Sequence, residues 1–154
     1  MKTDELLDTP CAMLDATRMQ RNIVRMQQRM NALQVRFRPH VKTAKSLPVA
    51  LAQQAAGASG ITVSTLKEAE RFFDEGFRDV LYAVGIVPSR LPQVLALRRR
   101  GCDLKLITDN LAAAQALAAF GREHGEVFEV WIEIDSDGHR SGVPPEADLL
   151  LELG

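Results

Sequence analysis

Apolar positions along the chain fall into short runs and helical stripes that alternate. After the run CAML (11–14), Met19, Ile23, Met26, Met30 and Leu33 recur at helical spacing, with Asp15 or Thr17 placed to cap the helix. VRFRPHV (35–41) reads as a strand and is followed by a helix from about Leu47 to Ala56 that stops at Gly57. GITVS (60–64), DVLYAVG (79–85), DLKLIT (103–108) and VFEVWIEID (127–135) read as further strands. Between them lie three helical segments. One is opened by Thr65 with Glu68 at capping-box spacing and closed by Gly76, one runs through RLPQVLALRRRG, and an alanine-rich one follows Asp109 to about His124. DSDGHRSG is a loop by composition, and PPEADLLLELG starts a last helix behind two prolines. Repeated βα units of this length predict an α/β fold with a parallel sheet, either open and doubly wound or part of a (β/α) barrel.

The segment 35–41 departs from this pattern. Central strands of a parallel sheet are covered on both sides and read as near-continuous Val, Ile and Leu. Here Arg36, Arg38, His40 and Lys42 alternate with Val35, Phe37, Pro39 and Val41, so one face is cationic. Burying such groups unpaired costs several kcal/mol each, roughly, so carboxylates, water or an anionic ligand must face them. Pro39 adds a second irregularity, since it cannot donate to a ladder, and the strand is expected to bulge or to end before it. Lys42 falls at the carboxyl end, where barrel active sites form. A lysine among cations and partly desolvated gives up its proton more readily and becomes a nucleophile; an isolated lysine at a strand end is ordinarily a solvated charge.

Composition narrows the field. At 154 residues, 46% hydrophobic and 25% charged, the chain has the make-up of one globular domain, which excludes disordered and disulfide-scaffold classes. A net charge of -1 argues against nucleic-acid or anionic-membrane binding through bulk charge. There is no apolar run of spanning length and the start, MKTDELLDTP, is acidic, so no membrane role and a cytoplasmic location are expected. Cys11 and Cys102 lack metal or redox spacing and read as small packing residues, and the methionines read as core filler. Arg98, Arg99 and Arg100 read as a solvated helix end that suits the dipole.

Arg38-Pro39-His40-Val41-Lys42-Thr43, with Lys45 after it, resembles the R-P-H-x-K-T-x-K signature of the D-threonine aldolase and D-serine dehydratase family. TPCAMLDATRMQRNI, GITVSTLKEAE and IEIDSDGHRSGV resemble further family segments in the same order. The resemblance implies a partial (β/α)8 TIM-type barrel of the alanine racemase kind, with about five of eight strands, near 35, 60, 79, 103 and 127, while CAML would belong with a second domain. It implies pyridoxal 5'-phosphate held as a Schiff base on Lys42, with Arg140 donating to the cofactor's phenolic oxygen and His40 in the same cavity. The implied activity is that of a lyase removing water from a β-hydroxy D-amino acid such as D-threo-3-hydroxyaspartate or D-serine. Retro-aldol cleavage and a non-catalytic pyridoxal-phosphate-binding role are the alternatives.

Further expectations follow from the same resemblance. Family members run to about twice this length, so residues 1–154 are expected to be a single unit, the front of the barrel domain, with the C-terminal β domain absent. The phosphate-binding loop and the ligands of a divalent metal (Mn, Zn or Mg) would lie beyond Gly154, leaving no metal ligand here, and a homodimer would be the full-length assembly. Ala44 stands where many members have histidine. An incomplete barrel exposes strand edges and inner faces and is expected to self-associate.

Overall fold

The computed structural model of the protein describes residues 8–154. Two helices come first, and strands and helices alternate after them: α1 (Ala16–Ala32), α2 (Leu47–Ala55), β1 (Ile61–Val63), α3 (Leu66–Asp74), β2 (Asp79–Gly85), α4 (Leu91–Arg99), β3 (Asp103–Thr108), α5 (Leu111–His124), β4 (Val130–Ile132) and α6 (Leu149–Leu153). The four strands form one parallel sheet in the order β1-β2-β3-β4, as successive βα units demand. The core lies between the sheet's outer face and the helices. Ile61, Val63, Val80, Leu104 and Leu106 from the strands pack with Leu66, Ala69, Phe72, Phe73, Leu91, Val94 and Leu97 from α3 and α4.

Several expected elements come out differently. Residues 11–14 form no strand, and Cys11, Met13 and Leu14 are exposed, so Cys11 is not a packing residue. Asp15, not Thr17, caps α1 by accepting the Arg18 N–H at 2.9 Å. The α1 methionines are not core filler either: Met26 is exposed, and the helix buries only Gln27. The 127–135 strand shortens to Val130–Ile132, continued by a single parallel bridge between Ile134 and Val143. α6 begins at Leu149, after the prolines rather than on them.

The segment 35–41 is the largest departure. Its only bridge joins His40 to Thr62, with Ser59 N–H and Thr62 N–H donating to the carbonyls of Phe37 and Pro39, each at 2.8 Å. Pro39 has no N–H to return, and the chain turns into a 3-10 helix at Val41–Thr43, so no regular strand forms. This fifth strand position is therefore held by other means.

Those means are ionic. The Arg38 guanidinium crosses the inner face beneath β1 and forms a two-pronged bond to the Asp79 carboxylate on β2, Nη1 to Oδ1 at 2.6 Å and Nη2 to Oδ2 at 2.9 Å. Lys105 of β3 donates to Asp79 Oδ1 at 2.8 Å and to Asp103 Oδ2 at 2.5 Å, and the Arg38 guanidinium carbon lies 5.8 Å from the Trp131 ring centroid. Arg36 reaches the same carboxylate at 3.8 Å from the solvent side. The inner face near the amino ends of the strands is thus a floor of compensating charges. Burial alone pushes the Asp79 carboxyl up, but bonds and charge from Arg38 and Lys105 outweigh it and hold it below the usual carboxylate range. Lys105 is likewise opposed by burial, yet raised by Asp103 and Asp79.

The arginines at the carboxyl end of α4 are also engaged rather than merely solvated. Arg98 donates to Glu126 at 2.8 Å and to the carbonyls of Leu104 and Val127, tying α4 to the strands on either side of α5. Arg100 pairs with Glu70 and Asp74 of α3.

Two outcomes test the floor. A β-carbon at Gly60 would lie 2.5 Å from Arg38 Nη1 and 2.7 Å from the Asp79 carbonyl oxygen, so Gly60→Ala is expected to cost about 1–3 kcal/mol in urea unfolding; an unchanged midpoint would contradict the packing. Because the folded Asp79 carboxyl titrates below its unfolded value of about 3.9, its contribution is complete above that pH and is lost as pH falls through the folded value. Asp79→Asn should flatten this acid limb and lose about 3 kcal/mol at neutral pH, since it leaves Arg38 and Lys105 without their shared charge.

Candidate active site at the carboxyl end of the sheet

His40, two residues beyond Arg38 on the inner face, is the hinge between floor and mouth. Its Nδ1 accepts the Lys42 backbone N–H at 3.3 Å, which caps the Val41–Thr43 turn. With Nδ1 occupied as an acceptor, the ring proton sits on Nε2 and points to Ser64 Oγ, 3.3 Å away at the end of β1. Burial and the nearby Lys42 charge lower the His40 pKa below 6.5 against weaker opposing effects of Glu68 and the Thr62 backbone, which favours the neutral ring.

Lys42 therefore stands on a 3-10 turn just past the His40–Thr62 bridge, not at the end of a regular strand. Its side chain is exposed and has no hydrogen-bond or ion-pair partner among the described residues. The desolvation expected around Lys42 is absent from this stretch, and its flanking cations Arg36 and Arg38 face the floor, where Asp79 neutralises them. Lys45 closes the turn through its N–H to the Val41 carbonyl at 2.8 Å, in a left-handed conformation with φ of 48°.

Arg140 lies in the loop 136–142 that leaves β4 at the same end of the sheet. The loop is pinned at its neck. Asp135 N–H donates to the Val143 carbonyl and Val143 N–H to the Glu133 carbonyl, at 3.0 and 2.8 Å. A β-carbon at Gly142 would sit 2.6 Å from Asp135 N, and the residue has φ of 116°, so only glycine closes the neck. Asp109 Oδ2 accepts the Gly142 N–H at 3.1 Å, and Glu133 Oε1 accepts from Ser141 Oγ at 3.1 Å. Arg140 is exposed and, among the described residues, makes no hydrogen bond or ion pair. Lys42 and Arg140 thus rise from opposite edges of the sheet at its carboxyl end, with no direct contact between them.

Three participants escaped the sequence reading. Asp109 precedes α5, but Asn110 caps the helix by accepting the Ala113 N–H at 2.9 Å, and Asp109 holds the Arg140 loop instead. Two adjacent residues of capping type were the available signal. Glu68 was expected to complete a capping box with Thr65. Thr65 does bond the Glu68 N–H, but the carboxylate takes Ser64 N–H at 2.9 Å and Lys45 Nζ at 3.1 Å. Glu133 carries no pattern that marks it. Cys102 is buried, as expected, and burial pushes its thiol up to about 11, which leaves it inert.

Among the described residues no cluster of His, Cys, Asp and Glu is arranged to hold a metal ion, and no helix is long and apolar enough to cross a membrane. The chain is 72% identical, over 96% of its length, to D-threo-3-hydroxyaspartate dehydratase of Delftia sp. (strain HT23), and the solved structure of that enzyme superposes with a TM-score of 0.94 over 96% of this chain. A further structure, a variant of the dehydratase in its metal-free form, matches at 75% identity with a TM-score of 0.89 and covers 90% of this chain and 37% of that one. D-threonine aldolase from Filomicrobium marinum shares 29% identity and a TM-score of 0.85 over 94% of this chain and 39% of its own. The chain spans about 39% of the length of the curated relatives it matches. The model of the alanine racemase N-terminal domain matches residues 14–153, and with the parallel βα order and the carboxyl-end site already described, the chain belongs to that family.

Proposed function

We propose that this chain carries the lysine-bearing part of a pyridoxal-phosphate lyase that removes water from a β-hydroxy D-amino acid, with D-threo-3-hydroxyaspartate as the substrate. The observation that carries the reading is a division of the cations by position. Arg36, Arg38 and Lys105 are bound to carboxylates in the floor, whereas Lys42 and Arg140 at the mouth have no partner among the described residues.

The donor set fits the cofactor. Lys42 offers a primary amine able to condense with an aldehyde, and Arg140 offers a guanidinium able to hold a phenolate ionised and orient its ring. Bound pyridoxal phosphate supplies an electron sink for the pair left when a proton leaves the substrate's α-carbon. Lys42 Nζ is the group that would take that proton. His40 keeps its own proton on Nε2 toward Ser64 and holds the Lys42 backbone by Nδ1, so it positions the amine rather than exchanging protons with the substrate. Asp109 and Glu133 hold the loop that presents Arg140.

We further propose that residues 1–154 are one unit, the front of a barrel domain in a longer chain, and that the ligands of a divalent cation, which would supply Lewis-acid chemistry toward the β-hydroxyl, would come from outside this unit. A homodimer, a cytoplasmic location and a small-molecule β-hydroxy D-amino acid partner complete the proposal. Retro-aldol cleavage, favoured by the D-threonine aldolase likeness, would use the same Lys42 with the proton taken from the β-hydroxyl instead.

Incubation with pyridoxal phosphate followed by borohydride and peptide mapping should place the reduced adduct on Lys42. Lys42→Ala should abolish the visible band and Arg140→Ala should weaken cofactor retention by about tenfold or more. Adduct on Lys45 or Lys67 instead would overturn the assignment. With D-threo-3-hydroxyaspartate and manganese, keto acid plus ammonia marks dehydration and glycine plus glyoxylate marks aldol cleavage.

A further inference from the structure

The turn that carries Lys42 carries a second primary amine, Lys45, and both side chains are exposed. An aldehyde arriving at the mouth therefore meets two amines three residues apart. They differ in one respect. Lys45 Nζ lies 3.1 Å from Glu68 Oε1, whereas Lys42 has no carboxylate partner among the described residues.

Glu68 is well fixed for this contact. Its side chain is only 12% exposed, its own N–H is bonded by Thr65 Oγ1 at 3.0 Å, and its Oε2 accepts the Ser64 N–H at 2.9 Å. Burial pushes its carboxyl up, but the Ser64 N–H and Lys45 together outweigh that and hold it below the usual range, so it is a carboxylate at neutral pH. Oε1 is buried and accepts no hydrogen bond of good geometry among the described residues, so what faces it is the Lys45 nitrogen, 3.1 Å away as an ion pair. The other titratable groups facing this turn are His40, neutral and pointed at Ser64, and Lys42 itself.

We propose that Glu68 sorts the two amines of the turn: it ties Lys45 into an ion pair and leaves Lys42 the more open to electrophiles. Lys45 must leave the Glu68 contact before its nitrogen can attack, whereas Lys42 has no such contact among the described residues. The sorting is a property of the turn, and only its consequence for the cofactor rests on the reading of Lys42 given above. Glu68 thereby acts as a specificity-determining and positioning residue.

Trace acetylation of the folded full chain with acetic anhydride tests this without any cofactor. A neutral amine nitrogen bonds the carbonyl carbon, acetate leaves, and the proton goes to solvent. Mass spectrometry then gives the relative rates of Lys42, Lys45 and, as an exposed reference on α3, Lys67. In the wild-type chain Lys42 should react several-fold faster than Lys45. Glu68→Gln keeps an amide oxygen for the Ser64 N–H and removes the charge, so Lys45 should gain roughly two- to fivefold against Lys42 and Lys67. Molar salt added to the wild type, which screens the exposed side of the pair, should move the ratio the same way and needs no variant to fold. A Lys45-to-Lys42 ratio unchanged by both would overturn the proposal, as would a wild-type Lys45 faster than Lys42. Borohydride trapping with pyridoxal phosphate on the same samples separates the two ideas. Wild-type adduct away from Lys42 refutes the cofactor reading whatever the acetylation ratio, and adduct on Lys42 with an unchanged ratio refutes only the sorting.

Discussion

The two-pronged bond between Arg38 and Asp79 is the constraint on which the rest of the site depends. The segment bearing His40 and Lys42 has one bridge to the sheet and a proline where a ladder donor would be, so hydrogen bonding along the backbone holds it only through the Phe37 and Pro39 carbonyls. A guanidinium reaching beneath β1 to a carboxylate on β2 adds the side-chain anchor, and Gly60 leaves the space through which it passes. Half-buried charges held in such geometry are strongly destabilising to break, even where they contribute little net stability over an apolar alternative. That asymmetry suits a segment whose job is placement.

From this floor the structure is ordered by distance along the strands. Charges near the amino ends compensate one another, whereas at the carboxyl ends Lys42 and Arg140 stand without a partner among the described residues. His40 marks the boundary, facing inward between Arg38 below and the Lys42 turn above, with its ring kept neutral by burial and by the amine next to it. On the far edge the Arg140 loop is closed by a glycine neck and anchored by Asp109 and Glu133, so the guanidinium belongs to a defined loop and not to a loose connection. Glu68 joins the turn after the first segment to the start of α3, linking two consecutive βα connections at the mouth.

Much of this was legible in the sequence. The bounds of β2 and β3 match their apolar runs, because both strands are flanked by helices with clear caps and stops. The cationic face of 35–41 signalled a need for compensation, and the compensating carboxylate is Asp79. That partner was hidden because it lies on a strand two positions away, 41 residues on in the chain, and local patterning does not report non-local pairing. The CAML run misled because an apolar stretch makes a strand only when a neighbour covers it, and residues 11–14 have none here. Likewise the α1 methionines have helical spacing without a packing surface over most of them. Glu68 was read as part of a cap because that role is local, while its contact to Lys45, and that of Asp109 to Gly142, require the tertiary fold.

An experimental density map of the chain crystallised with pyridoxal phosphate tests the central claim most directly. The account predicts continuous density from Lys42 Nζ to the cofactor, with the Arg140 guanidinium in hydrogen-bond reach of the phenolic oxygen and Arg38 still on Asp79. Cofactor joined to another lysine, or Arg140 turned away from a ring held by Lys42, would contradict it.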